Sequence, residues 1–323
     1  MHDEPIRALT AFLALLAASA LTACSRQADP PRGTATSPQA PVSQEADVQP
    51  FALGNFSAIA LRDGGLAVPN DNKVFGVGRT PEDVAAVLRA AGQSGDELQL
   101  SIQPLLVRAG NRVLLFDTGT GAKGAPAGGR LASSLAAAQV APEDITDIFI
   151  SHAHFDHVGG LVNDAGGLAF PNAAVHLSAP EWAFLQGMTA ETAARYGFDH
   201  DALIAAMSPK VEAFAPGAEI IPGVVTAVEI RGHTPGHSGY LIGSGASSLL
   251  YVGDAVHHFV VSVQRPEWTI AFDTDARTAE TSRAELLARS AASGQRIYAV
   301  HFPFPGLGRI ERRGEGFVWV GER

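Results

Sequence analysis

The sequence predicts an α+β fold in which two β-sheets pack face to face with helices on the outside. Three observations lead to it. Apolar strand-like runs come in blocks with helices inserted between them, an order that fits two packed sheets better than a simple alternating βαβ sheet. Hydrophobic residues make up 46 % and charged residues 17 % of the 323 residues, as a packed globular chain requires. From Phe51 onward no shift in composition forces a boundary, so one domain is expected over residues 51–323.

The chain opens with a different kind of segment. Within residues 1–23, Arg7 is followed by an Ala- and Leu-rich run too short for a comfortable membrane span, which reads as a secretion signal. It ends in Leu21-Thr22-Ala23-Cys24, which resembles the lipobox of bacterial lipoproteins. That resemblance implies an exported protein anchored to the membrane through lipid on Cys24. Ser25 rather than Asp follows the box, which for such lipoproteins points to the periplasmic face of the outer membrane. The alternative is an ordinary cleaved signal with an incidental cysteine, giving a periplasmic or secreted protein. Cys24 is the sole cysteine, so no internal disulfide can form. Residues 24–50 are rich in Pro, Ala, Ser and Gln and carry only two valines as larger apolar side chains, which predicts a disordered tether.

Within the folded part, residues 100–119 (LSIQPLLVRAGNRVLLFDTG) predict two strands joined by a tight turn at Gly110-Asn111. Residues 130–140 have the spacing of an amphipathic helix stopped by Pro142. A buried strand, ITDIFIS, then runs straight into SHAHFDHVGG. Next comes a strand-to-helix junction, AVHLSAPEWAFL, with Ser178 as the N-cap. Residues 223–254 predict strand, loop, strand, hairpin and strand, and a helix over TAETSRAELLARSAAS precedes a last strand, RIYAVHF.

The chemistry concentrates in SHAHFDHVGG, where His152, His154, Asp156 and His157 fall within six positions. The His-x-His pair places two imidazoles on one side of an extended segment, as a single cation would need. His233, Asp254 and His301 each follow an apolar strand, a rigid element able to deliver a polar group to a common edge. Zinc with one open position takes only three protein ligands, so five His and two Asp suit two ions with Asp254 between them. Two metals about 4 Å apart can share a hydroxide and polarise a substrate oxygen. A net charge of −10 excludes a nucleic-acid binder and leaves small, neutral or weakly polar substrates.

FDTG, SHAHFDH, GHTPGHS, VGD and the late strand-end His301 resemble, in motif and order, the metallo-β-lactamase superfamily. The resemblance implies an αββα sandwich with a two-metal site at one edge of the sheets. It implies one ion on His152, His154 and His233, a second on Asp156, His157 and His301, and Asp254 bridging. LGNFSAIALRDGGLAVP, TIAFDTDARTA and HFPFPGLGRIERRGEGFVWV resemble the methyl parathion hydrolase branch, whose members hydrolyse phosphotriesters, aryl esters or lactones. The likeness covers roughly residues 53 to 320. One departure is that the loop TGAKGAPAGGR offers no aromatic where that branch can supply one to the substrate pocket. Trp182, Phe184 and Phe198 are the remaining candidates to line it, although helix-face aromatics more often serve a core.

The expected reaction is hydrolysis by a hydroxide shared between two divalent ions, with zinc expected and manganese, iron or cobalt compatible with the same ligands. Asp254 is expected to hold the metal spacing, and Asp156 or a metal-bound water to protonate the leaving group. Asp117 is expected to orient a ligand His or its loop from behind. His237 is expected to be structural, with contact to a ligand as the alternative. His257 and His258 are read as pocket-rim or surface residues, and Asp273 and Asp275 as turn and N-cap residues outside the site. The partner is a small-molecule ester, lactone or phosphotriester; the sequence leaves the oligomeric state open, with a homodimer among the alternatives. Rival readings are a β-lactamase, a glyoxalase II-like thioesterase, a di-iron oxidoreductase and a non-enzymatic metal-binding surface lipoprotein. An Asp at 254, the C-terminal HFPFPGLGRI and a His at 154 argue against the first three in turn.

Overall fold

The computed structural model describes residues 47–124 and 127–322. The expected signal, Cys24 and the tether up to residue 46 lie outside the described residues. Strand β1 (Val48–Leu53) pairs antiparallel with β2 (Phe56–Leu61), so residues 48–50, expected to belong to the tether, are part of the sheet. Val48 and Phe51 explain the shift, since both pack against core clusters.

The chain continues through β3 (Gly64–Pro69), α1 (Pro81–Ala90), β4 (Glu97–Ile102), β5 (Leu105–Ala109) and β6 (Arg112–Phe116). Helix α2 (Leu131–Ala137), β7 (Asp147–Phe149), α3 (Phe155–Val158), β8 (Ala174–Ser178) and α4 (Ala179–Gly187) follow. Then come α5 (Ala190–Arg195), α6 (His200–Met207), β9 (Val211–Phe214), β10 (Glu219–Ile221), β11 (Val225–Glu229), β12 (Ser238–Ile242) and β13 (Leu249–Tyr251). The last elements are α7 (Val261–Gln264), α8 (Ala276–Ser293), β14 (Arg296–Tyr298), β15 (Leu307–Arg313) and β16 (Gly316–Gly321).

Among the described residues the strands form two seven-stranded sheets, ordered β1-β2-β5-β6-β7-β8-β9 and β10-β11-β12-β13-β14-β15-β16, and a separate β3-β4 pair. Side chains alternate across each strand. Leu114 and Phe116 of β6 therefore enter the core between the sheets, while Leu115 faces the outer layer with Leu131 and Leu135 of α2. Tyr240 and Tyr251 of the second sheet join the shared core, whereas Leu250 turns outward to Leu286 and Leu287 of α8. The result is the expected helix–sheet–sheet–helix order. A fourth cluster joins β3, β4 and α1 to residues 260–270, forming a lobe beside the sandwich.

Helix ends follow local chemistry. Ser178 caps α4 by accepting from the Glu181 N–H, as predicted, and Asp275 caps α8 by accepting from the Thr278 N–H. The parallel pairings β6–β7, β7–β8 and β13–β14 require crossovers, which carry the helices to the outer faces. No helix among the described residues is long and apolar enough to cross a membrane.

Candidate metal centre

Five strands end at the same edge of the sandwich and each releases a polar residue there. Strand β6 leads to Asp117, β7 to His152 and His154, β11 to His233, β13 to Asp254 and β14 to His301. His154 precedes α3, which holds Asp156 and His157. Gly159 and Gly160 let this segment press on the loop after β6: a Cβ on Gly160 would lie 2.1 Å from the Thr118 carbonyl oxygen.

The seven residues predicted as ligands converge in two groups, His152, His154, His233 and Asp254, and Asp156, His157 and His301. Within each group one potential ligand atom per residue lies within 4.8 Å of the others. Nε2 of His233 is 3.0 Å from Nε2 of His152 and 2.9 Å from Nδ1 of His154. Asp254 faces both groups. Its Oδ1 is 3.2 Å from Nε2 of His157 and 3.1 Å from Nε2 of His301. Its Oδ2 is 3.4 Å from Nε2 of His233 and 3.7 Å from Nε2 of His152. Asp156 approaches His157 at 3.6 Å and His301 at 3.5 Å, and is the most exposed member of the cluster.

The hydrogen bonds behind the imidazoles decide what this arrangement can hold. His233 donates from Nδ1 to Asp273 (2.9 Å), His157 from Nδ1 to Asp117 (2.7 Å) and His301 from Nδ1 to the Ser101 carbonyl (2.7 Å). Each bond fixes a tautomer whose Nε2 carries a bare lone pair. These three nitrogens face carboxylate oxygens or other imidazole nitrogens, contacts that need a shared proton or a cation between them. Nε2 of His154, Nε2 of His157 and Oδ1 of Asp254 are buried without a hydrogen-bond partner in the protein. Nitrogen and carboxylate donors in these positions fit divalent metal ions.

The electrostatics agree. Burial, reinforced by neighbouring imidazoles, holds His152 and His154 well below the usual imidazole pKa and keeps them neutral, as ligands must be. Burial opposes charge on Asp254, yet His157, His301, His257 and His152 together hold its carboxyl well below the usual range. Burial also disfavours charge on His157, but Asp254, Asp156 and Asp117 carry its pKa well above normal. The carboxylates thus demand positive charge at the centre of the cluster.

Asp117 lies behind His157, and His237 sits in the turn that carries Asp254. Asp117 accepts from Nδ1 of His157, from the Ser151 N–H and hydroxyl and from the Tyr251 hydroxyl, while held at φ 56°. His237 donates from Nδ1 to the Ile230 carbonyl and accepts the Asp254 N–H at Nε2 (2.9 Å), so it fixes the turn that presents Asp254.

Other expectations are corrected. His257 and His258 are not at a rim or on the surface, because the β3–β4–α1 lobe packs over them and Phe75 sets its ring against both. Nε2 of His257 lies 3.2 Å from Oδ2 of Asp254, whereas His258 accepts the Val260 and Val261 N–H groups at the start of α7. Asp273 belongs to the site after all, since it is buried against His233, while Asp275 is the helix cap expected. Trp182 and Phe184 pack against the outer core of the first sheet. Phe198 lines a cavity of about 290 Å³, together with Phe155, Val158 and Gly159 beside the cluster.

Two contributors escaped the sequence reading. Glu181 is fully buried and accepts from the Ala153 N–H, the Thr234 hydroxyl and the Gly236 N–H, tying the two histidine loops together. Burial pushes its carboxyl pKa up in spite of those bonds. Its only local signal was the position three residues after Ser178. Tyr196 stacks on His154, with centroids 5.1 Å apart, and supplies an aromatic wall from a segment with no ligand motif.

The profile of the Metallo-beta-lactamase superfamily matches residues 100–318, and the chain belongs to that superfamily. Among solved structures it is similar to AidC, a dizinc quorum-quenching lactonase in complex with an L-homoserine product. That match has 30 % identity and a TM-score of 0.79, covering 85 % of this chain and 97 % of AidC. It is also similar to the hydrolase AbOPH of the same superfamily, with 29 % identity and a TM-score of 0.77, covering 87 % of this chain and 99 % of AbOPH. A protein of Mycobacterium tuberculosis described as a probable metallo-hydrolase is 27 % identical over 183 residues, 48 % of this chain and 56 % of that protein. The chain therefore spans about half the length of the curated relatives it matches.

Proposed function

We propose that this chain is a two-metal hydrolase of ester-type bonds in small molecules, with lactones and aryl esters as the leading substrates. The observation that carries this reading is Asp254, which turns one oxygen to each of two ligand groups. His152, His154, His233 and Asp254 would hold one ion, and Asp156, His157, His301 and Asp254 the other. A nitrogen-rich donor set of this kind suits zinc. When bound, the ions would supply Lewis acidity and a water acidified to near-neutral pH.

The chain's own groups supply the rest. Asp254 sets the spacing of the two ligand groups, held by the His237 bond to its backbone. Asp117, Ser101 and Asp273 keep the Nδ1 protons of three histidines pointed away from the centre. Tyr196, stacked on His154, gives the apolar part of a substrate an aromatic surface beside the polar cluster. Asp156, the most exposed carboxylate of the cluster, or a water there would pass a proton to the leaving oxygen. In lactone hydrolysis water adds its oxygen to the acyl carbon, the ring C–O bond breaks and the ring oxygen takes up the proton. The likeness to the dizinc lactonase AidC supports lactones in particular.

The test is a panel of lactones, aryl esters and phosphotriesters offered to zinc-loaded protein. Hydrolysis of at least one class is expected, lost on chelation and restored by metal. A protein carrying two ions yet inactive on all three classes would remove the substrate assignment and favour metal capture.

A further inference from the structure

The segment TIAFDTDARTA carries no ligand, yet it delivers a buried carboxylate to the centre. Asp273 is fully enclosed and uses both oxygens: Oδ1 accepts from Nδ1 of His233 (2.9 Å) and Oδ2 from Nη2 of Arg283 (2.7 Å). Arg283, on α8, is itself one of the largest fully buried side chains in the protein. Its Nε donates to the carbonyl of Ala255, next to Asp254 (3.0 Å), and its Nη1 donates to the carbonyls of Pro266 (3.0 Å) and Trp268 (3.3 Å). One guanidinium therefore grips the turn that presents Asp254 and, through Asp273, the imidazole of His233. The backbone reinforces this contact, since the Thr274 N–H donates to the His233 carbonyl and the Asp275 N–H to the Gly232 carbonyl. Gly232 lies so close to α8 that a Cβ there would sit 2.1 Å from the Ala279 nitrogen.

A buried ion pair is a weak source of stability compared with an apolar pair of similar volume. An arginine is also the one cation that cannot shed its charge on burial. Its place here is explained by what it positions: one arm reaches His233 through Asp273, and the other reaches the turn of Asp254, the carboxylate shared by both groups. The other group is supported by different residues: Asp117 holds His157 and the Ser101 carbonyl holds His301.

We propose that Arg283 and Asp273 form a positioning clamp whose Asp273 arm sets the metal affinity of the group of His152, His154 and His233 more than that of the other group. Neither residue touches substrate or metal. The clamp fixes the His233 tautomer, keeps its Nε2 aimed at His152 and His154, and holds the Asp254 turn at the same distance. It rests on the two-metal reading above.

The experiment is a two-site zinc titration of metal-free protein against a chromophoric chelator, repeated with cobalt and read by absorption spectroscopy. Asp273→Asn, Arg283→Lys and the control Asp275→Ala are compared with the unaltered chain. Asp273→Asn is expected to weaken one ion by about 10–100-fold, leave the other within about twofold and change the cobalt spectrum of the weakened site alone, whereas Arg283→Lys, which also frees the Asp254 turn, is expected to weaken both ions with the larger loss at that same site. Asp275→Ala, which removes only a helix cap, is expected to leave both affinities unchanged. If Arg283→Lys fails to fold, the near-isosteric Asp273→Asn decides the matter. Unchanged affinities in Asp273→Asn, or an equal loss of both ions alongside reduced thermal stability, would overturn the clamp. An unaltered chain that binds no metal would overturn the two-metal reading and the clamp with it; a dimetal chain indifferent to Asp273→Asn would overturn the clamp alone.

Discussion

At Asp254 the two oxygens of one carboxylate meet five imidazoles, two from each ligand group and that of His257. Removing it separates the groups and leaves those imidazoles facing one another in a buried space. Asp254→Ala and His152→Ala are both expected to abolish hydrolysis and to lower the bound metal, as metal analysis and a turnover assay would show. Full activity in a metal-depleted His152→Ala protein would contradict the mechanism. The seven residues that converge at this edge stood out in the sequence because each lies in a dense motif or follows an apolar strand. Asp273, Glu181 and His257 did not. Glu181 acquires its role from groups 28 and 55 residues away, and Asp273 from a histidine 40 residues upstream. His257 is buried only because the β3–β4–α1 lobe closes over it. Sequence spacing carries no record of such contacts.

Strand β7, only three residues long, is held to its neighbours by more than backbone pairing. Asp147 at its start accepts from Arg112 of β6, from Thr146 and from His176 of β8. Burial alone would raise the Asp147 carboxyl, but the bonds from His176, Thr146 and Arg112 hold it below the ordinary value. A carboxyl depressed in the folded state contributes stability above its unfolded pKa of about 4 and loses that contribution as pH falls through the folded value. The stability gap between the unaltered chain and Asp147→Asn, measured by denaturant unfolding, is therefore expected to be constant from neutral pH to about pH 4 and to shrink below it. A gap that widens on acidification would contradict this account. At the element scale the 105–116 hairpin, helix α8 and the strands flanking the ligand motifs were legible from turn residues, caps and apolar runs. The short helices α5 and α6 were not, since each is fixed by a single cap and by docking on the first sheet rather than by a long apolar period.

Across the whole molecule, two sheets place the ends of five strands at one edge, and neither sheet holds a complete ligand set. His152, His154 and His157 arrive from the first sheet and His233, Asp254 and His301 from the second, so the centre exists only when the shared core has formed. The blocks of strands forecast this sandwich. The lobe built on β3, β4 and α1 was not forecast, because its apolar partners Val260, Val261, Trp268 and Ile270 lie far along the chain. The most direct test of the account is a metal count on the purified chain after zinc loading and removal of free ion. Two ions per chain are predicted, falling to one or none in Asp254→Ala. A single ion or none in the unaltered chain would contradict the two-metal centre.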